Sequence, residues 1–292
     1  MMSFGMDSIL VSKASLSTTL SEEVVSVDFL MQGQIGDIYK VHTSTKAYIL
    51  KTSEQPEFLS IEAKMLEDIK KYDILTPHIY EAKPQSLLLE YIHSSPQTQE
   101  QKERAAAEAL AKLHTVSNDA RMYGYYYNTS IASFVQNNEQ THYAWGLFLA
   151  QMRLLPMAKK CYDLGAISLA QVQHIEGICR SMYRYFDVTS IYPSLLHGDL
   201  WAGNILFNMK GATLLDPALY FGDKEMEIAY ILMRGTFGKT FLQHYTAQHH
   251  LSEGFFEYKL PLYQLYPTLV HLALGQKEYV PTLEGLLKKL KL

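Results

Sequence analysis

The stretch HGDLWAGNILFNMKGATLLD, from His197 to Asp216, follows the apolar pair Leu195–Leu196 and crowds polar groups in a way no plain turn requires. A turn is satisfied by one Gly and an Asn or Asp. Here His197, Gly198, Asp199, Trp201, Gly203 and Asn204 share one short segment. The residues after it read as a hairpin, with Ile205–Phe207 and Thr213–Leu215 as strands and Asn208 to Gly211 as the turn. A register centred on Lys210 makes Asn204 and Asp216 cross-strand neighbours, their β-carbons roughly 5 Å apart. An amide oxygen and a carboxylate so placed form a hard-oxygen pair suited to Mg2+. Asp199 faces the same space from the preceding loop, which the small residues Ala202 and Gly203 allow to curl tightly.

Outward from this segment the chain changes texture. Before residue 93 it mixes short strand-like runs with one helical pattern. VVSVDFL (Val24–Leu30), DIYKV (Asp37–Val41), KAYILK (Lys46–Lys51) and SLLLEYI (Ser86–Ile92) are rich in β-branched, aromatic and aliphatic residues. From Gln97 onward helical spacing dominates, through QEQKERAAAEALAKLH, THYAWGLFLAQMRLLPMAKK and SLAQVQHIEGICRSMYRYF. The expected organisation is α+β and bilobal, with a small β-rich lobe over 1–92 and a larger helical lobe over 93–292. A cleft between two lobes is a natural ligand site.

The front region carries its own candidates. In the helix after Lys51, Met65 and Ile69 fall within ~20° of Phe58 on either side, and Glu62 lands ~40° from Phe58, inside that apolar stripe. Glu67, Asp68 and Lys70 read as the polar face. A carboxylate in an apolar stripe needs a partner, because an unpaired buried charge costs several kcal/mol. Lys51, at the end of the adjacent strand, is the expected one. Gly33 and Gly36 open a hairpin where backbone N–H groups can approach phosphate.

With these residues in place, HGDLWAGN…LLDPALYFGDKEMEIA resembles the catalytic segment of the protein-kinase-like phosphotransferases. The Trp after HGDL, and DPA where protein kinases carry DFG, look like the fructosamine (ketosamine) kinase family. The resemblance implies a protein-kinase-like fold and an ATP-dependent, Mg2+-assisted transfer of phosphate to a sugar hydroxyl. The 3-hydroxyl of a ketosamine, a sugar–amine adduct either free or protein-bound, is the implied acceptor. It makes Asp199 the catalytic residue, Asn204 and Asp216 the metal ligands, and Lys51 with Glu62 the phosphate-binding pair. Gly33 and Gly36 resemble the family's abbreviated glycine loop, and Glu90, Tyr91 and Ile92 the segment that meets adenine. His197 and Gly198 would order the catalytic loop, and Glu227 would brace it.

Two readings stay open for Trp201, a packing wedge or a platform for the sugar, and for His271, a core histidine or a wall of the sugar pocket. The chain departs from the family around Trp145, where an aromatic-and-acid pair is missing. Aminoglycoside, choline or homoserine kinases share the catalytic parts, and a nucleotide-binding pseudokinase scaffold is the alternative outside catalysis. The formal net charge of −4 gives no electrostatic footprint for nucleic acid or an anionic membrane. No stretch reads as a transmembrane span, and the N-terminus lacks the basic start of a secretory signal. With only Cys161 and Cys179, there is no disulfide framework, and the expected compartment is the cytoplasm.

Overall fold

The structure is a computed structural model that describes residues 11–290 apart from 119, 141–143, 186 and 188–190. The opening residues read for a secretory signal, and the first three of the helical pattern begun at Thr141, lie outside those described.

Five antiparallel strands form the front sheet: β1 (Val24–Gln32), β2 (Asp37–Thr43), β3 (Ala47–Thr52), β4 (Ile79–Lys83) and β5 (Ser86–Glu90), in the order β1-β2-β3-β5-β4. Alternation along β3 sends Tyr48 and Leu50 to one face, where they pack with Leu16, Tyr39, Val41 and Leu88. Helix α1 (Lys13–Leu20) supplies Leu16 to that cluster. On the opposite face, Leu59, Ala63 and Leu66 of α2 (Pro56–Lys70) pack against Leu87 and Leu89. Lys51, one residue out of phase with Leu50, therefore points to the α2 side.

The rest is mainly helical: α3 (Gln99–His114), α4 (Trp145–Phe148), a π-helical turn (Leu149–Leu154), α5 (Leu155–Asp163), α6 (Leu169–Arg180), α7 (Lys224–Arg234), α8 (Lys239–Thr246), α9 (Leu260–Tyr263), α10 (Leu265–Ala273) and α11 (Val280–Lys289). Thr98 and Gln101 form a capping box that starts α3 cleanly after the irregular 91–97 segment. Trp145 is fully buried at the centre, donating from Nε1 to the Tyr263 hydroxyl at 3.0 Å and stacking on Phe148. No described helix is long and apolar enough to cross a membrane.

Three short two-stranded ladders complete the fold, of which two frame the motif segment. They are β6 (Thr129–Ile131) with β7 (Phe134–Gln136), β8 (Ser194–Leu196) with β11 (Tyr220–Gly222), and β9 (Ile205–Asn208) with β10 (Gly211–Leu214). Chain order through the segment is β8, loop 197–204, β9, β10, loop 215–219, β11. The two loops thus lie side by side, tied at both ends by ladders.

Several sequence expectations need correction. Asn208 pairs with Gly211 and Leu214 with Ile205, so the turn is the two residues Met209–Lys210 and the register is one step shorter than expected. Asn208 Oδ1 accepts from the Lys210 amide at 2.8 Å and closes that tighter turn. Asn204 consequently lies across from Leu215, whose amide donates to the Asn204 carbonyl at 2.9 Å. Strand β5 ends at Glu90, leaving Tyr91 and Ile92 outside the sheet. Asp68 is buried, not on a solvated face, because Tyr125, Tyr127 and Lys71 donate to it at 3.1, 2.6 and 2.6 Å. Helix α1 and strand β4 carry too few apolar residues in phase to have been read at all.

Trp145→Ala is expected to destabilise the chain by about 3–5 kcal/mol, the range for emptying a large aromatic site in a core. Urea denaturation followed by circular dichroism checks it, and a loss under 1 kcal/mol contradicts this account of the core.

Candidate active site

The loop that follows β8 is built on a buried carboxylate. Glu227, in the first turn of α7, accepts from the His197 amide at 3.0 Å and the Gly198 amide at 2.8 Å. It also accepts from His114 Nε2 at 3.0 Å, and Tyr245 donates to His114 Nδ1 at 2.6 Å. Burial pushes the Glu227 carboxyl up, but the hydrogen bonds from His114 and the His197 amide help hold the group below its ordinary value. His197 is fully buried, donating from Nε2 to the Leu215 carbonyl at 2.8 Å and accepting from the Asp199 amide at Nδ1. The ring therefore ties the first loop to the second. Gly198 has φ 84°, and a β-carbon there would sit 2.2 Å from the Ala218 carbonyl oxygen. Only glycine lets the loops approach this closely.

Both oxygens of the Asp199 carboxylate are held. Tyr230, one turn after Glu227 on α7, donates to Oδ1 at 2.9 Å, and Asn204 Nδ2 donates to Oδ2 at 3.1 Å. The Asn204 amide also donates to the Asp199 carbonyl at 2.8 Å. Burial pushes the Asp199 carboxyl up to about 7, against the bonds from Tyr230 and Asn204 and with the Asp216 charge adding to the rise. Burial and the adjacent Asp199 push the Tyr230 phenol up as well, which keeps it a donor.

Asp216 has φ 48°, the left-handed region that non-glycine residues seldom enter. That bend turns its carboxylate into the cleft in place of the cross-strand pairing anticipated above. There it meets Lys51, whose ammonium also contacts Glu62 at 2.7 Å. Burial alone would push the Lys51 ammonium down; Asp216 and Glu62 outweigh it and hold it above its ordinary value. Burial raises Glu62, which Lys51 opposes, whereas Lys51 lowers Asp216 against its burial.

Two cavities adjoin the loop. The larger, about 680 Å³, lies between the lobes and is lined by Gly33, Gly36, Lys51, Glu62, Glu90, Tyr91, Ile92, Asn204 and Asp216. Gly33 and Gly36 close the β1–β2 turn through a 2.7 Å backbone bond, with Lys40 over the Tyr91 ring at 4.1 Å. The smaller, about 170 Å³, is lined by Tyr230, Arg234, His271 and Gln276 among others. Asp199 and Trp201 line both. The Trp201 indole folds over Gly203, where an added β-carbon would come within 2.5 Å of the ring. It is thus both packed and exposed to each cavity. His271 is likewise both: Nδ1 donates to Gln276 Oε1 at 2.7 Å, the ring stacks on Tyr279, and the cavity lies against it.

Tyr230, Arg234, Gln276 and Tyr279 escaped the sequence reading. For the first two a signal existed, since they follow Glu227 at helical spacing on one face of α7. Magnesium fits the larger cavity's donors: the Asn204 oxygen and the Asp216 carboxylate are a partial shell, which phosphates and water usually complete. Glu227→Ala is expected to cost about 3–5 kcal/mol by stranding His114 and two loop amides. A melting temperature unchanged from the parent contradicts this bracing role.

The fructosamine kinase family model matches residues 9–292. A chain from Enterococcus faecium assigned as a ketoamine kinase is 28% identical over 263 residues, covering 88% of this chain and 92% of its own. The crystal structure of a chain from Thermobifida fusca assigned as a fructosamine-3-kinase superposes with a TM-score of 0.83 at 24% identity, covering 97% of this chain and 99% of that one. The ADP-bound aminoglycoside phosphotransferase APH(2'')-Ib superposes with a TM-score of 0.63 at 16% identity, covering 96% and 98%. A bilobal kinase-like fold, a motif loop shared between two cavities and a match along nearly the whole chain make one assignment: this protein belongs to the fructosamine kinase family of phosphotransferases.

Proposed function

We propose that the protein transfers the γ-phosphoryl group of ATP to the 3-hydroxyl of a ketosamine, with the nucleotide in the larger cavity and the sugar in the smaller. The observation that carries this reading is the position of Asp199, which lines both cavities and has each carboxylate oxygen held by one donor. A lone pair on each oxygen remains for a hydroxyl entering from the acceptor side. Asp199 then orients that hydroxyl and takes its proton as the new oxygen–phosphorus bond forms and ADP leaves. Such transfers rest on positioning and charge stabilisation more than on covalent chemistry.

Lys51 neutralises phosphate charge, and Glu62 keeps it aimed. Asn204 and Asp216 would hold the magnesium ion, and Lys51, beside Asp216, would meet the phosphate oxygens. The ion, when bound, offsets charge on the phosphates. Gly33 and Gly36 cover the phosphates, while Glu90, Tyr91 and Ile92 meet the adenine. The reading divides the chain into a nucleotide-binding lobe over 1–92 and a catalytic, acceptor-binding lobe over 93–292, working in the cytoplasm.

Asp199→Asn is expected to lower kcat by about 10²–10⁴, the usual worth of a positioned base, with Mg-ATP affinity within about threefold. Single-turnover assays with a synthetic fructosamine, a ribulosamine and kanamycin test the scheme, with the phosphorylated position mapped by NMR. Phosphorylation of the antibiotic alone, or turnover surviving in Asp199→Asn, overturns it.

A further inference from the structure

The wall of the smaller cavity carries a cation that the scheme above does not use. Arg234, half-buried at the end of α7, lies with its guanidinium carbon 4.6 Å from the centre of the Trp201 indole. Its Nη1 donates to the Tyr279 hydroxyl at 2.8 Å, and Tyr279 is held by its stack on His271 at 4.1 Å. These partners are uncharged. Among the described residues, no carboxylate lies within ion-pairing distance of Arg234. A guanidinium presents five donors in a rigid fork, so most of this one's capacity remains unspent.

The other charges around the cavity are committed. Asp199 is the base, and Glu227 is consumed by two loop amides and His114. Burial pushes the His271 imidazolium down, and Gln276 Oε1 accepts a hydrogen bond from its Nδ1. Apart from Asp199, whose carboxyl feels the Arg234 charge, an acceptor entering here meets one uncommitted charge among the described lining residues, and it is positive. A polycation would find only the reacting Asp199 carboxylate open to it in this wall. An anion would find a pre-ordered fork, stacked on one side and tethered on the other.

Position adds a constraint. Tyr230, which holds Asp199, and Arg234 are four residues apart on one helix, about 6 Å along its axis. In a ketosamine made from an α-amino acid, the carboxyl carbon lies about six bonds from the 3-hydroxyl oxygen, roughly 7 Å when extended. A phosphate at the far end of the sugar has a comparable reach.

We propose that Arg234 is a specificity-determining residue that receives an anionic group of the acceptor, so that the preferred substrates are ketosamines bearing a carboxylate on the amine or a phosphate on the sugar. This rests on the ketosamine reading and narrows it. Arg234 acts through binding, so its effect falls mainly on KM.

The test compares kcat/KM of the full chain, at saturating Mg-ATP, for three synthetic acceptors. These are fructosylglycine, the carboxylate-free fructosyl-ethylamine, and the 6-phosphate of the latter. At least one of the two acceptors that carry an anionic group is expected to exceed fructosyl-ethylamine, which carries none, by about tenfold or more, the worth of a hydrogen bond to a charged group. Preference for the glycine adduct identifies the carboxylate as the anion, and preference for the 6-phosphate identifies the phosphate. Arg234→Met should bring that ratio to within about twofold of unity, and Arg234→Lys should retain part of it. The parent ratio is informative even if a variant folds poorly, which melting curves would reveal. Equal use of all three acceptors by the parent, or a preference that survives in folded Arg234→Met, overturns the proposal and leaves the ketosamine reading standing. Phosphorylation of none of the three overturns both.

Discussion

One ammonium group organises the space between the lobes. Lys51 leaves the front sheet on the α2 side and meets a carboxylate from each lobe, Glu62 and Asp216. A charge withdrawn from water is tolerable only when paired, and removing either partner leaves the remaining groups out of balance. The demand fixes the rotation of α2, because Glu62 must face inward while Leu59, Ala63 and Leu66 grip the sheet. The same helix sends Met65 and Ile69 into the large helical core, so the lobes share packing as well as charge. It also accounts for the left-handed backbone at Asp216, a conformation of modest cost that persists where surrounding contacts over-determine it.

The second organising element is α7. Its successive turns carry Glu227 beneath the loop, Tyr230 against the Asp199 carboxylate and Arg234 at the acceptor wall. One rigid rod thus supports the loop, orients its acid and shapes the cavity beyond. The rod is itself anchored, since its N-cap Asp223 accepts from Lys259 at 2.9 Å and Tyr263 at 2.6 Å. Side chains locked by such partners hold a site to tighter tolerance than a loop alone can.

Much of this was legible in the sequence because it depends on local spacing. The strands of the front sheet announce themselves by β-branched and aromatic runs, and Glu62 by its phase within an apolar stripe. The convergence of Asp199, Asn204 and Asp216 was legible too, though for a partly different reason. A symmetric hairpin was expected to set Asn204 opposite Asp216; a two-residue turn and a bend at Asp216 bring them to the same cleft instead. What stayed hidden depends on tertiary partners. Asp68 looked solvated until Tyr125 and Tyr127 arrived from far along the chain. Arg234 went unread because its place depends on Trp201 and Tyr279, which reach it from distant parts of the chain.

The chain has only two tryptophans, and their surroundings could hardly differ. Trp145 is sealed in the core beside Phe148 and Tyr263, where ligands do not reach. Trp201 lines both cavities, with Gly203 beneath its ring and a guanidinium alongside. Filling either compartment alters the polarity and quenching around that single indole, while the other contributes a steady background. The molecule therefore carries a built-in optical gauge of occupancy, readable from its native fluorescence without any attached dye.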